Sequence, residues 1–482
     1  MTEDKKLSEN PEHDLASRFP TAYTILFGLI VFVAALTWII PAGQYERVMN
    51  EEVGREVAVP GTYQTVDPNP QGFVDVMLAP TAGFYDPDSY VANAIDVALF
   101  VLFLGGFLGV MNATGAIDTG IRSAMRHLKG HEIWMIPILM TLFAIGGTTY
   151  GMAEETLAFY SILIPVMIAA GYDVVTGVAI ILIGAGIGVL GSTINPFATV
   201  IAANAANIPF TDGIVLRFVL LVGGVVICAA YVMRYAHRVK QDPSRSVVAK
   251  QWGAHRKLFL KGHDEGFEDA TLNATQIIVL VIFAMTFAVM IWGVSSQGWW
   301  MARMGALFFG AAIVIGLVAR LGEKKLTASF VDGARDLLGV ALVVGLARGI
   351  VVIMDQGMIA DTILHSAETS LGGLPELAFI NLMFWIEVGM SFFVPSSSGL
   401  AVLSMPILAP LGDFANVGRD LVVTAYQSAN GLVNLINPTF AVVVGGLAIG
   451  RVSYDRWIAF IWPLLLILTV FITLIISIGT LI

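Results

Sequence analysis

Cysteine is almost missing from this chain. Cys228 stands alone among 482 residues, so there is no disulfide framework, and one thiol with seven scattered histidines offers neither a metal cluster nor a nucleophile with a positioned base. Charge is scarce too: 13% of the residues are charged, against roughly 25% in a soluble domain. No GxxxxGKS or GxxxxGKT loop occurs, which argues against ATP coupling within the chain. The opening MTEDKKLSENPEHDLASRF lacks the basic region and cleavage site of a signal peptide and reads as a cytoplasmic tail over 1–20. These absences count against an enzyme and against a soluble protein.

What is abundant is apolar surface, at 57% of residues, more than one or two soluble cores can hide. Lipid can serve as its solvent, and a helix crosses the hydrocarbon layer with about 20 mostly apolar residues. Hydropathy places spans near 21–42, 91–112, 174–206, 214–236, 275–294, 302–320, 335–355, 418–449 and 456–481. Many of the 49 glycines fall inside such segments, where they permit close packing or broken backbone. Trp292, Trp299 and Trp300 resemble an aromatic belt.

Two further apolar regions, 132–171 and 376–412, carry polar centres. Loop 237–274 and the end of the preceding span hold Arg234, Arg238, Lys240, Arg245, Lys250, Arg256, Lys257 and Lys261, whereas loop 43–90 holds only Arg47 and Arg55. The basic loop is therefore cytoplasmic and the other external. An odd number of crossings must join them, and three spans supply it, so 132–171 adds an even number. A re-entrant hairpin fits its polar centre better than two full spans. The expected fold is an all-α polytopic membrane protein with about nine transmembrane helices plus two hairpins.

The chain also repeats itself. MNATGAIDTGI (111–121) resembles MDQGMIADTIL (354–364), which sets Asp118 against Asp361 and Thr119 against Thr362. Pro165 answers to Pro406, and Ile194-Asn195-Pro196 to Ile436-Asn437-Pro438; the offsets are 243, 241 and 242 residues. A steady offset marks duplication. With the first unit (91–236) starting outside and the second (335–482) starting inside, the repeats are inverted, an arrangement of secondary transporters. The two helices of 275–320 stand between them.

Four polar interruptions follow. The hairpin tips are 148–156, containing Thr149, Tyr150, Glu154, Glu155 and Thr156, and 394–399, containing Ser396, Ser397 and Ser398. The discontinuous helices break at 191–196, with Ser192, Thr193 and Asn195, and at 427–439, with Ser428, Asn430, Asn434, Asn437 and Thr439. Each proline removes an amide donor and pushes the asparagine before it out of helical geometry. Freed carbonyls can ligate a cation and a half-helix N-terminus can hold an anion, so Na⁺ near Ser192, Thr193, Asn195, Ser428 and Asn437 is one expectation and H⁺ another. The plain alternative is that these groups satisfy their own backbone.

Adjacent glutamates at membrane depth cost at least ~2.5 kcal/mol each when ionised. Glu154 and Glu155 can bind a coupling cation, carry a proton or meet a cationic substrate; alternatively one caps a helix and the other bonds backbone. Arg348, Asp355 and Glu387 lie in or beside apolar segments, where Arg348 neutralises a carboxylate or forms an ordinary structural pair. Asp118 and Asp361 are read as helix caps, and His365 as interfacial. Partners expected are a small solute and the bilayer, with no nucleic acid and no cofactor.

At GMAEETLAFYSILIP, GSTINPFAT and NGLVNLINPT the chain resembles the YfcC-type branch of the DcuC-like carriers, bacterial inner-membrane proteins of the ion-transporter superfamily. The resemblance runs over nearly the whole chain after the tail. It implies inverted repeats with two hairpins, a scaffold domain that forms a homodimer, and an elevator-type transport domain. The acidic tip resembles the basic amino acid antiporter branch more than the dicarboxylate carriers, whose tips carry Ser-Asn-Thr motifs. The function expected is therefore secondary transport of amino acids by exchange or cation coupling. The alternatives are a proton- or sodium-coupled carrier of C4-dicarboxylates or short-chain organic acids and, more remotely, a channel.

Overall fold

The computed structural model describes residues 22–50, 55–117, 119–120, 123, 132–149, 151–260 and 272–481. The tail over 1–20, Asp118, Tyr150 and Lys261 lie outside them.

α1 (Ala22–Leu36) is shorter than the expected span over 21–42, rising only ~22 Å. It ends in a turn in which the Thr37 hydroxyl donates to the Ala34 carbonyl (2.6 Å), ahead of Pro41. The segment read as an external loop, 43–90, is built. β1 (Gly43–Gln44) pairs with β4 (Gln64–Thr65), and β2 (Arg47–Asn50) with β3 (Arg55–Ala58), all antiparallel. α2 (Phe73–Ala82) follows and packs Val76 and Ala79 into a cluster with Leu26, Ile30 and Val33 of α1. Ten residues of α2 are too few to register as a span, so hydropathy passes over them.

α3 (Ile95–Ala113) comes next. Region 132–171 becomes α4 (Met135–Thr149), a short non-helical tip, one 3₁₀ turn and α5 (Leu157–Ala169). The span 174–206 is broken as expected: α6 (Val174–Leu190), an interruption, a π-helical turn (Pro196–Val200) and α7 (Ile201–Ala205). α8 (Ile214–Gln241) runs into the basic loop, which carries α9 (Trp252–Phe259). α10 (Ala274–Gln297) and α11 (Met301–Val318) come next. α12 (Glu323–Asp336), amphipathic and absent from the hydropathy reading, lies with Gly333 against Gly105 and Gly109 of α3.

The chain continues through α13 (Leu338–Gln356), α14 (Ala360–Leu371), α15 (Glu376–Phe393) and α16 (Ser397–Phe414). It ends with a broken pair, α17 (Arg419–Val433) and α18 (Ala441–Ile449), then α19 (Tyr454–Gly479).

Among the described residues nine helices are long and apolar enough to cross a bilayer, but they are not the nine crossings expected. Six agree, in α3, α8, α10, α11, α13 and α19. The other three are α4 with its lead-in from Glu132, α15 and α16, which are hairpin arms in the sequence reading. Length and composition cannot separate an arm from a full span, because a helix of 18 residues rises ~27 Å either way.

Burial arranges these elements in depth. α6 and α17 are buried on nearly every face. By contrast α8, α10 and α19 leave Val215, Phe218, Val226, Val281, Met285, Leu466, Val470 and Leu474 exposed. A chain with polar, broken helices inside and an apolar rind outside suits lipid as solvent.

Candidate substrate site

Each helix break is stitched to a hairpin tip. At the first, Asn195 Nδ2 donates to the Gly147 carbonyl at the end of α4 (3.0 Å), while its Oδ1 accepts from the amides of Phe197 (2.8 Å) and Ala198 (3.1 Å). The Thr148 hydroxyl accepts from the Thr193 amide (2.9 Å) and meets the Thr193 hydroxyl (3.0 Å). Gly151 turns the tip at φ +77°, and a Cβ there would lie 2.8 Å from Asn195 Oδ1, so the turn and the asparagine require a glycine.

The second break repeats this joinery. Asn437 Nδ2 donates to the carbonyls of Ser391 (2.9 Å) and Phe392 (3.2 Å) at the end of α15, and its Oδ1 accepts from the Thr439 amide (3.1 Å) and hydroxyl (2.8 Å). The Thr439 hydroxyl stands within 3.0 Å of the Phe392 carbonyl as well. Asn430 Oδ1 accepts from the Ser397 hydroxyl (2.8 Å) and from Asn434 Nδ2 (3.1 Å), which also donates to the Pro395 carbonyl (3.0 Å). Backbone groups freed at Pro196 and Pro438 thus find protein partners, as burial at membrane depth demands.

The two breaks also cross each other. Gln427 Nε2 donates to the Ser192 carbonyl (2.9 Å), and its Oε1 accepts from the Thr199 hydroxyl (2.9 Å), which bonds Ser192 Oγ in turn. Gly431 presses on α6 so closely that a Cβ would lie 2.4 Å from Leu190 Cα. Ser428 bonds within its own helix, to the Thr424 carbonyl (2.7 Å).

Of the tip residues, Thr149 bonds back to the Ile145 carbonyl (2.6 Å) and Thr156 to the Ala153 carbonyl (2.6 Å). Glu155 is buried and its Oε2 accepts from the Ala153 amide (3.0 Å), which is a capping geometry. Glu154 is half-buried, bonds no other described side chain, and lies within electrostatic reach of Glu155 and Asp96. Asp96 accepts from the Trp300 indole, and that ring sits 5.3 Å from Phe197. Trp300 therefore joins the first tip's surroundings, beyond its expected place in an aromatic belt. At the other tip Ser396 caps Gly399 N (3.2 Å), with Ser398 beside it at 3.4 Å.

A cavity of about 370 Å³ opens beside the second tip, reaching Val394 and Gly399, and is lined also by Arg47, Arg348, Asp355 and Asp361. Asp361 stands in the first turn of α14, pairs with Arg47 (2.8 Å) and accepts from the Tyr45 amide (3.1 Å). His365 is covered by the Tyr63 ring, stacked at 4.0 Å. A larger cavity of about 670 Å³ between 373–377, 414–416 and the end of α19 includes none of the tip or break residues. Sequence reading placed Gln427 in the second break but missed its bond across to the first, and it missed Thr199, Ser391 and Tyr426, because single polar residues in buried helices carry no local motif.

Residues 19–481 match the C4-dicarboxylate anaerobic carrier family, DcuC. The chain belongs to the DcuC family. Among relatives, an uncharacterised Haemophilus influenzae protein is 36% identical over 487 residues, covering 93% of this chain and 94% of its own. YfcC of Escherichia coli K12, named as a candidate basic amino acid antiporter, is 31% identical over 474 residues, covering 91% and 92%. Two solved structures are similar at lower identity. The YdaH transporter of Alcanivorax borkumensis is 13% identical, spans 95% of this chain and 98% of its own, and gives a TM-score of 0.40. MtrF of Neisseria gonorrhoeae, of a class of antimetabolite efflux pumps, is 14% identical, spans 96% of each chain and gives 0.41. As a DcuC-family protein with this helix inventory, the chain is a multi-pass membrane carrier for a small solute and not an enzyme.

Proposed function

We propose that this DcuC-family carrier exchanges basic amino acids across the bacterial inner membrane. The observation that carries the reading is Glu154: a half-buried carboxylate without a bonded side-chain partner at a hairpin tip, beside Glu155 and Asp96, with Trp300 and Phe197 close by. Three carboxylates and two aromatic faces suit an ammonium or guanidinium group. The hydroxyls of Ser396 and Ser398 would take the substrate's carboxylate, joined by Ser397, Asn430 and Asn434 on giving up the bonds they make to one another and to the Pro395 carbonyl. The YfcC relative supports the substrate class.

Under this reading 132–171 and 376–412 are re-entrant hairpins of two inverted repeats. The matching roles of Asn195 and Asn437 support that symmetry. Hairpins and broken helices would form an elevator-type transport domain moving against a dimerised scaffold, with the N-terminus cytoplasmic and the C-terminus external. Sodium near Ser192, Thr193, Asn195, Ser428 and Asn437 would have to replace bonds these groups make with protein.

Proteoliposomes loaded with L-ornithine should take up labelled L-arginine, and succinate or fumarate should not compete. Glu154→Gln should slow exchange by ~10-fold or more, as removal of a charge-assisted contact does. A second reading, C4-dicarboxylate transport, is favoured by the guanidiniums of Arg47 and Arg348 on the cavity wall and by the family's description. Succinate uptake without arginine exchange would establish it in place of the first.

A further inference from the structure

Glu387 lies at the middle of α15, fully buried, and neither carboxylate oxygen has a hydrogen-bond partner among the described residues. An isolated ionised carboxylate in such a place costs several kcal/mol, and the group avoids the cost by holding a proton. Its polar neighbours fit that state. The Ser404 hydroxyl of α16 stands near Glu387 but donates to the Leu400 carbonyl (3.0 Å). The Tyr426 hydroxyl of α17, within electrostatic reach, donates to the Ser397 carbonyl at the hairpin tip. The Tyr426 proton is committed to the Ser397 carbonyl, and the Ser404 proton is drawn to the Leu400 carbonyl as well as toward Glu387. A carboxylate accepts and never donates, whereas a carboxylic acid can donate to either.

α15 packs against α14, α16, α17 and α19. The charged groups of these helices lie against other partners: Asp361 with Arg47, His365 and Glu368 with each other and with Tyr45, Asp413 with Arg419, Asp455 with Arg456, and Asp420 facing Arg217, while Glu376 lines the larger cavity at the start of α15. No cation among the described residues acts on Glu387, and its carboxyl group lies close enough to act on the Tyr426 hydroxyl.

We propose that Glu387 is the coupling-proton site of this carrier, with Tyr426 linking its protonation to the position of the second hairpin tip. While the tip is docked, Tyr426 bonds Ser397 and Glu387 stays protonated. When the tip moves off, the Tyr426 hydroxyl is freed to donate to Glu387, the carboxyl O–H dissociates, and the proton leaves to the water that the movement admits. Solute-for-solute exchange carries the proton both ways and shows no net flux; net uptake moves it one way.

The proposal goes beyond the substrate reading, and its test separates the two. Wild-type protein is reconstituted in liposomes without internal solute, under an inward proton gradient of one pH unit, and net uptake of L-arginine is followed with a trapped pH dye; succinate is the probe if arginine is not carried. One pH unit corresponds to about tenfold accumulation for one proton per solute. Glu387→Gln, a fixed mimic of the protonated acid, should exchange solute within about threefold of wild type yet accumulate none and move no proton. Accumulation by Glu387→Gln under the gradient, or wild-type uptake driven by sodium with no dye response, would overturn the assignment. Infrared difference spectra of the purified wild type against Glu387→Asp and Glu387→Gln at neutral pH give an answer independent of solute. A protonated-carboxyl carbonyl band lost with Glu387→Gln is expected; no such band in the wild type would reject the proposal.

Discussion

Asn195 and Asn437 show how much one side chain can do in a place without water. Each donates its amide to carbonyls left free at the end of one helix and turns its oxygen to amides at the start of another. Asn437→Asp keeps the acceptor but removes the donor, leaving the Ser391 carbonyl short of a partner and the Phe392 carbonyl with the Thr439 hydroxyl alone. Each buried group stranded in this way costs ~1–3 kcal/mol. The variant should melt below the wild type in detergent at neutral pH; an unchanged melting curve would show that the bridge contributes nothing. The same geometry shows why Asn-Pro was readable as a break but not as a joint: the proline is a local signal, the partner helix is not.

His255 offers a second test at this scale. It is buried on α9 in the basic loop, with Nε2 3.2 Å from the Arg451 carbonyl. Burial pushes its pKa below the usual histidine value. The unfolded chain then binds the proton more readily, so the neutral ring's contribution is present above about pH 6.5 and is lost as pH falls through the folded pKa. The wild-type melting temperature should drop between pH 7 and 5 more steeply than that of His255→Gln, measured in detergent. Parallel slopes would remove the histidine from the account.

At the scale of elements, the two broken helices are fastened face to face as well as to their hairpins. Gly431 lets α17 lie on α6 at Leu190, and Gln427 reaches across to the Ser192 carbonyl. Gly431→Ala places a methyl group where Leu190 Cα blocks it, and overpacking of this kind costs ~1–3 kcal/mol. Lowered thermal stability and slowed exchange in proteoliposomes are expected together. Full exchange in Gly431→Ala would mean that the two helices separate freely. The helix breaks and the polar turns between paired helices were legible in the sequence because proline, glycine and hydroxyl clusters interrupt long apolar runs. α2, α12 and the small β-unit over 43–65 were not, because short or amphipathic segments look like loops until something packs on them.

For the whole molecule, orientation rests on where the arginines and lysines lie. In a Cys228→Ser background, Ser244→Cys should react with an impermeant maleimide only after cells are opened, and Leu481→Cys should react on intact cells. Both positions are exposed, so access through the membrane decides the labelling. Labelling of Ser244→Cys from outside would invert the topology.

Composition and local motifs were enough to decide that this chain lives in lipid, that its helices are interrupted in two places, and that Asn-Pro stands at both interruptions. Those properties are local or depend on register along the chain, so they can be read without contacts. Which polar groups remain free depends on the fold. Asn195, Asn437, Ser192 and Thr156 carry the chemistry of a binding site, yet their atoms are bonded to partner backbone or side chains. Glu154 bonds only its own backbone amide, and neither Glu387 oxygen has a well-formed hydrogen bond among the described residues. A hydrogen bond is a property of two atoms brought together, and only packing decides which acceptors have found their donors.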